Sequence, residues 1–185
     1  TFIALNLPKK ERQRIHRSVR LLREEGLPVR WVEPDNLHIT LKFLGEVRPE
    51  TLPRIEATLA DVAASTHPFV ITLGGFGAFP TLRRPRVIWL GVEAAPELRC
   101  LKQDLEWALA DLGFEAEPRE FHPHFTLGRA EPGDGGGAFR SLDELVSGLE
   151  YSGRVPLHTV DLMRSQLLRD GAHYTVISSA KFTGA

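Results

Sequence analysis

Apolar residues recur along this chain at two different spacings, and the spacing separates predicted helices from predicted strands. An apolar residue every three or four positions is typical of a helix that packs one face against a core, whereas alternation or a short apolar run is typical of a strand. By these criteria, helices are predicted over residues 9–25, 49–64, 96–112 and 139–148. Strands are predicted over residues 2–7, 37–45, 69–76, 87–92, 123–129, 155–168 and 172–182.

The predicted elements follow the same order twice, namely strand, helix, strand, helix, strand and strand. Residues 87–92 end the first pass and begin the second, and the two halves share little residue identity beyond one short motif. Strands mixed with helices and joined by hairpins favour an α+β fold with antiparallel sheets. We therefore predict two pseudo-symmetric lobes, each an antiparallel sheet with helices packed outside, that form a single two-lobed domain over residues 1–185.

The short motif is a histidine followed two positions later by a threonine, and one copy lies in each half. The copies are His38-Ile39-Thr40-Leu41 and His124-Phe125-Thr126-Leu127. Because successive side chains of a strand point to opposite faces, His and Thr of each copy share one face and their apolar neighbours share the other. Two such strands facing each other across a cleft would surround one tetrahedral group with two imidazoles and two hydroxyls. This arrangement suits cleavage of a phosphodiester without a metal.

The residue types support that chemistry. Histidine has an ordinary pKa of about 6.5, so one imidazole can act as a base while the other acts as an acid near neutral pH. Thr40 and Thr126 can donate to phosphate oxygens and stabilise the charge that develops there, although threonine is also common in strands for its shape alone. A third copy, His173-Tyr174-Thr175, follows a hairpin turn signal, and we assign it to the last strand and not to the site.

The sequence leaves the positions and roles of two residues beside the second motif undecided. Arg129 lies three positions beyond Thr126, so strict alternation points it away from His124, whereas a relaxed backbone at Gly128 would return it to the same face. His122 shares the face of His124, and we expect it to lie at the rim of the site. A metal pair of these two histidines is the alternative, but no further ligands stand at a suitable spacing.

Two further groups of residues could contact a nucleic acid, and one further segment could cover the site. The loop with Arg83, Arg84 and Arg86 is either a solvated surface or a contact for RNA phosphates. The nearby Phe76, Phe79 and Trp89 are either core residues or rings on which a base could stack. Residues 131–138 are rich in glycine, and we interpret them as a flexible linker, with a lid over the site as the alternative.

Composition narrows the class of protein. The formal net charge is −1, from 23 basic and 24 acidic residues, which argues against sequence-independent binding of long nucleic acids but allows small or terminal phosphates. Cys100 is the only cysteine, so an intrachain disulfide and a cysteine-based zinc site are excluded, and we expect a partly buried thiol. No apolar run reaches the length of a membrane span, and the apolar stretch at 2–7 is too short for a signal peptide. We expect a cytoplasmic monomer without cofactor or metal.

The chain resembles the two-histidine phosphoesterase superfamily, and within it the bacterial and archaeal RNA 2',3'-cyclic phosphodiesterases, also called 2'-5' RNA ligases. The most specific string is WVEPDNLHITLKFLGEV at residues 31–47. The other strings are FIALNLP at 2–8, RPRVIWLGV at 84–92, PHFTLGR at 123–129 and LMRS at 162–165.

The resemblance implies two α+β lobes around a central cleft, with His38 and His124 facing each other. It implies hydrolysis of a ribose 2',3'-cyclic phosphate, at an RNA 3' end or on a small nucleotide, to a 2'-phosphomonoester without a metal. His38 would protonate the departing O3' and His124 would act as base on the attacking water. Thr40, Thr126 and Arg129 would bind the phosphate oxygens.

The sequence is also compatible with three other functions. The same site could join RNA ends through a 2'-5' linkage, since hydrolysis and ligation differ only in the nucleophile. The protein could also bind phosphorylated RNA ends without turnover. A hydrolase that uses a metal held by His122 and His124 is the third alternative.

Overall fold

A computed structural model of the chain describes residues 1–93, 95–133, 137–168 and 171–184. In this part of the chain the strands are β1 (Phe2–Asn6), β2 (Val29–Trp31), β3 (His38–Phe43), β4 (Phe69–Thr81), β5 (Arg84–Val92), β6 (His124–Ala130), β7 (Ser152–Leu157), β8 (Thr159–Leu168) and β9 (Gly171–Lys181). The α-helices are α1 (Lys9–Ser18), α2 (Arg20–Glu24), α3 (Leu52–Ser65), α4 (Pro96–Ala110) and α5 (Leu142–Ser147). Short 3-10 helices occupy Pro34–Asn36 and Pro49–Thr51.

The strands form two sheets whose pairs are all antiparallel. One sheet has the order β3-β1-β8-β9 and the other has the order β2-β6-β5-β4-β7. Helix α3 packs against β8 and β9, α4 lies beside β3, and α5 lies beside β4. The predicted α+β fold with two antiparallel sheets and outer helices is therefore confirmed.

The two sheets are related by an approximate two-fold symmetry, with β3, β1, β8 and β9 corresponding in order to β6, β5, β4 and β7. Each sheet carries one motif strand, as the repeated pattern predicts, and the two motif strands contact each other. Neither half of the chain builds a sheet alone. After β3 the chain crosses to the second sheet for β4 and β5, and it returns to the first sheet with β8 and β9.

Several predicted boundaries are wrong, and the reasons are tertiary. The predicted loop between residues 76 and 87 is a hairpin, because the pairing of β4 with β5 continues to Thr81. An additional residue in β5, Arg86, shifts the register beside Pro80 without ending the pairing. The predicted strand 155–168 divides at His158, where the chain passes from one sheet to the other. The first helix divides at Val19, and the three-residue β2 was not predicted. Cys100 is exposed and not partly buried.

One continuous core lies under both motif strands. The apolar residues of the motifs are buried, with exposed fractions of 0% for Ile39, 3% for Leu41, 0% for Phe125 and 3% for Leu127. They join a single cluster that includes residues from both sheets and from α3 and α4. This burial holds the opposite face of each strand, which carries the polar residues of the motif, toward the space between the sheets.

A buried group of charges connects the first motif strand to the chain segment that leads into the second. Lys42 of β3 and Glu106 of α4 are 4% and 7% exposed, and their side chains form an ion pair. The Lys42 ammonium also donates to the carbonyl oxygen of Glu115 at 2.7 Å, while Glu106 accepts from Lys102 and from the backbone N–H of Glu117 at 3.3 Å. Burial alone would raise the pKa of Glu106, yet the hydrogen bonds from the two lysines lower it below its usual value.

The substitution Glu106→Gln is expected to destabilise the fold strongly. It leaves the buried Lys42 ammonium without its counter-charge, and breaking one side of a buried pair typically costs about 3–5 kcal/mol of unfolding free energy. Urea unfolding followed by circular dichroism measures the loss. The matched control is Asp104→Asn on the exposed side of the same helix, which is expected to change the unfolding free energy by less than about 0.5 kcal/mol. Equal effects of the two substitutions would contradict a stabilising role for the buried pair.

Candidate active site

The five residues singled out by the motifs line one cavity between the two sheets. The cavity has a volume of about 420 Å³, and its walls include His38, Thr40, His124, Thr126 and Arg129. Both histidines and both threonines are half-buried, and Arg129 is exposed. Two imidazoles, two hydroxyls and one guanidinium therefore surround a space that opens to solvent.

Each imidazole is held by the same backbone contact. The Nδ1 atom of His38 lies 2.8 Å from the carbonyl oxygen of Asn36, and the Nδ1 atom of His124 lies 2.6 Å from the carbonyl oxygen of His122. Because a carbonyl can only accept a hydrogen bond, Nδ1 carries the proton in both rings. The Nε2 atom is then the one that gains or loses a proton during chemistry.

The segments that supply these carbonyls are themselves anchored. The side-chain amide of Asn36 donates to the carbonyl oxygen of Ala172 at 3.1 Å, which ties the turn before β3 to β9. Arg12 of α1 donates to the carbonyl oxygen of Asp35 at 2.7 Å in the same turn. His122 contributes its backbone to the site, while its side chain is 63% exposed and lies 3.7 Å from Glu120 at the rim.

An aromatic ring packs edge-on against each imidazole. Tyr174 lies 4.9 Å from the ring of His38 at an interplanar angle of 79°, and Phe79 lies 5.1 Å from the ring of His124 at the same angle. Phe2 also packs against His38 at 4.9 Å, and it contacts Tyr174 at 5.5 Å. The third copy of the motif thus brings its middle residue to the cavity, because Tyr174 is on the wall and His173 is not.

The position of Arg129 depends on a bulge in β6. In the pairing with β5, Thr126 is opposite Trp89 and Gly128 is opposite Ile88, so Leu127 is an additional residue. The bulge places Leu127 and Gly128 together in the buried layer and turns Arg129 back toward the cavity. Glycine is required here, since a Cβ on Gly128 would lie 2.9 Å from the ring of Trp31.

Strand β3 contains the equivalent bulge, but the residue that follows it differs. Thr40 is opposite Ala4 and Lys42 is opposite Ile3, so Leu41 is the additional residue. Phe43 therefore occupies the place that Arg129 has in β6. It lines the same cavity and is 69% exposed. Sequence reasoning missed Phe43 because alternation from His38 assigns it to the core face.

Burial is the main cause of a lowered pKa at both histidines. For His38 and for His124, burial favours the neutral imidazole, the hydrogen bond to the backbone carbonyl opposes it, and the positive charge of Arg129 favours it again. The net effect lowers the pKa of each ring below its ordinary value. Arg129 is thus close enough to influence both imidazoles.

The remaining sequence candidates lie elsewhere. Arg83, Arg84 and Arg86 line a separate cavity at the turn between β4 and β5, together with Phe139. Phe76 packs against the core, whereas Phe79 and Trp89 line a second cavity next to His124. Residues 134–136 of the glycine-rich segment lie outside the described residues.

Among the described residues, His, Cys, Asp and Glu side chains nowhere form a group of three suited to hold a metal ion. Within the same residues, the helices are all too short or too polar to cross a membrane.

Comparison with known proteins identifies the family of this chain. Residues 5–89 match the family described as LigT like Phosphoesterase. The RNA 2',3'-cyclic phosphodiesterase of Methanothermobacter thermautotrophicus is 36% identical over 176 residues, which cover 94% of each chain. That of Aeropyrum pernix is 40% identical over 162 residues, which cover 84% of this chain and 88% of the relative.

Solved structures agree with the sequence relatives. The crystal structure of E. coli LigT in complex with 3'-AMP superposes with a TM-score of 0.78 at 28% identity and covers 98% of this chain and 97% of that chain. A protein of Thermus thermophilus superposes with a TM-score of 0.79 at 30% identity, covering 98% of this chain and 96% of its own. The chain therefore belongs to the LigT-like phosphoesterase family, together with the RNA 2',3'-cyclic phosphodiesterases of archaea and bacteria.

The pKa of each imidazole is expected to rise when the charge of Arg129 is removed. The nearby guanidinium disfavours a second positive charge, so Arg129→Gln removes an opposing charge and favours protonation of His38 and His124. Proton NMR titration of the ring Hε1 signals measures both values. In the wild type both should lie below about 6.5, and in the variant both should move upward.

The control for this titration is Arg86→Gln in β5, which removes an equal charge from the same sheet but away from the cavity. Its two titration curves should match those of the wild type. An identical shift in both variants would mean that Arg129 acts only through the total charge of the protein.

Proposed function

We propose that this protein hydrolyses the 2',3'-cyclic phosphate at RNA 3' ends to a 2'-phosphomonoester by acid–base catalysis with two histidines. The observation that carries the proposal is the single cavity lined by both His-x-Thr motifs, in which the two imidazoles are held alike with Nδ1 protonated. Relatives over most of the chain are named RNA 2',3'-cyclic phosphodiesterase, which supports a cyclic phosphodiester as the substrate.

In this mechanism the two histidines begin in different protonation states. Nε2 of His124 accepts a proton from water as the water oxygen attacks phosphorus, and the bond from phosphorus to O3' breaks. Nε2 of His38 donates its proton to the departing O3', which leaves a 3'-hydroxyl and a 2'-phosphate. The assignment of acid and base follows the family resemblance, since the surroundings of the two rings are nearly equivalent.

The other three polar residues bind the phosphate. The hydroxyls of Thr40 and Thr126 donate to the non-bridging oxygens, whose negative charge grows as the nucleophile adds. Arg129, which lines the same cavity, supplies a permanent positive charge. Its proximity to both imidazoles, which favours their neutral forms, supports a place beside the reacting phosphate.

The nucleoside of the reacting end is assigned to the side of the cavity formed by Phe43 and Tyr174. An exposed aromatic ring offers a face on which any base can stack, which suits recognition of single-stranded RNA ends. The net charge of −1 is compatible with a short RNA end as ligand. E. coli LigT, which shares the fold, has been crystallised with 3'-AMP, ATP and NADP+.

The proposal is tested with an RNA oligomer that ends in a 2',3'-cyclic phosphate, incubated with the protein in excess EDTA. Phosphorus NMR should show a 2'-phosphate product from the wild type. His38→Ala and His124→Ala should each lower the rate at least about a hundredfold, because each removes one proton-transfer group. The matched control is His173→Ala from the third motif copy, which should retain the wild-type rate if it folds normally by circular dichroism.

Three other outcomes of this experiment would each contradict the proposal and identify a different function for the site. Activity that is lost in EDTA and restored by a metal ion would contradict the two-histidine mechanism. Tight binding of the RNA end with no product would identify a binding protein. A joined product that forms only when a second RNA with a free 5'-hydroxyl is added would identify a 2'-5' ligase.

A further inference from the structure

A second cavity adjoins His124 and is not used by the proposed reaction. Its volume is about 500 Å³, and it is lined by His124 but by neither motif threonine nor His38. Its walls come from β4 and β5, from one face of α4, and from the segment that precedes β6. The cavity therefore begins at one of the proposed catalytic imidazoles and extends away from the first cavity.

Aromatic rings form one wall of this second cavity. The rings of Phe79 and Trp89 lie 5.3 Å apart at an interplanar angle of 37°, and both line the cavity. Two glycines make room for the indole, because a Cβ on Gly77 would collide with the ring and one on Gly91 would lie 3.3 Å from it. The indole can therefore lie close against the sheet and leave space above it.

The opposite wall carries positive and polar groups from α4. Arg99 is exposed and lines the cavity, and its guanidinium forms no hydrogen bond or ion pair with another described residue. Lys102 also lines the cavity, but its ammonium is bound to Glu106. Arg99 is thus the cation of this wall that remains available to a ligand.

A groove connects this cavity with the nucleoside side of the first one. The groove has a volume of about 480 Å³ and is lined by Thr40 and Phe43 at one end and by Phe79 and Phe121 at the other. Arg119 and His122 line it as well, together with the carboxylates of Glu117 and Glu120, so the path carries charges of both signs. An RNA strand could follow this path from the first cavity to the second, past the guanidinium of Arg119.

We propose that the second cavity is a subsite for the RNA nucleotide immediately 5' of the one that carries the cyclic phosphate. Its base lies against Phe79 and Trp89, and Arg99 contacts a backbone phosphate. Aromatic stacking with a cationic rim is a common way to bind single-stranded nucleic acid without sequence preference. This inference rests on the proposed function, and it makes oligonucleotide ends better substrates than mononucleoside cyclic phosphates.

The test compares kcat/KM for a mononucleoside 2',3'-cyclic phosphate with kcat/KM for a dinucleotide that ends in the same group. The wild type should favour the dinucleotide by about tenfold or more, the size expected for one stacked base. Arg99→Gln and Phe79→Leu should bring this ratio close to one. Using the ratio removes any effect that Phe79, which contacts His124, has on the chemical step itself.

Two controls separate the subsite from general effects. Tyr174→Leu alters the wall of the first cavity but neither the second cavity nor the groove. It should lower kcat/KM for both substrates by the same factor, so the ratio stays at its wild-type value. Arg54→Gln on the exposed face of α3 should leave the ratio as in the wild type. A wild-type ratio near one, or a ratio that Arg99→Gln and Phe79→Leu do not change, would overturn the proposal.

A binding measurement tests the subsite separately from the proposed reaction, because it needs no turnover. Calorimetric titration with a mononucleotide and a dinucleotide that carry a terminal 2'-phosphate needs no hydrolysis, so it remains informative if the proposed function fails. One dinucleotide should bind per protein, about tenfold more tightly than the mononucleotide. Two mononucleotides per protein, with no tighter binding of the dinucleotide, would assign the second cavity to a separate ligand and overturn the strand assignment.

Discussion

The contact between β3 and β6 is the constraint on which the rest of the site depends, because each strand carries one half of the polar groups and each belongs to a different sheet. The chain secures this contact by crossing between the sheets, so that strands from both halves are needed to complete either one. The buried ion pair between Lys42 and Glu106 adds a direct connection from the first motif strand to the segment that leads into the second. Separation of the sheets would expose the apolar core that they share.

The approximate symmetry of the two sheets explains why the two sides of the first cavity share a backbone arrangement but differ in one side chain. Both motif strands have the same backbone contact to histidine and the same bulge after threonine. The residue that follows the bulge is Phe43 in one strand and Arg129 in the other, which places an apolar ring opposite a permanent charge. A phosphate with a nucleoside attached has the matching asymmetry, since one end is charged and the other presents an aromatic face.

Burial and one positive charge influence the protonation of both imidazoles. Burial lowers the pKa of each ring, and Arg129 lowers it further, so both rings favour the neutral form. In the proposed reaction, the negative charge of the substrate phosphate would favour protonation of one ring. The substrate would in this way promote formation of the acid that the proposed mechanism needs for the leaving group.

The local features of this protein follow from patterns along the chain. Alternation placed His38 beside Thr40 and His124 beside Thr126, and the repeated order of elements predicted one motif on each of two antiparallel sheets, because both patterns depend only on neighbours along the chain. Other features arise only from pairing between strands that are distant along the chain. The bulge that returns Arg129 to the cavity arises from pairing between β5 and β6.

Other features of the site also depend on residues that are distant in the sequence. Tyr174 reaches His38 only because β9 lies in the sheet that contains β3. His122 matters through its backbone carbonyl, a role that its side chain does not reveal. Sheet membership, strand register and backbone contacts arise from pairing between distant segments, and a linear pattern of hydrophobic and polar residues does not specify them.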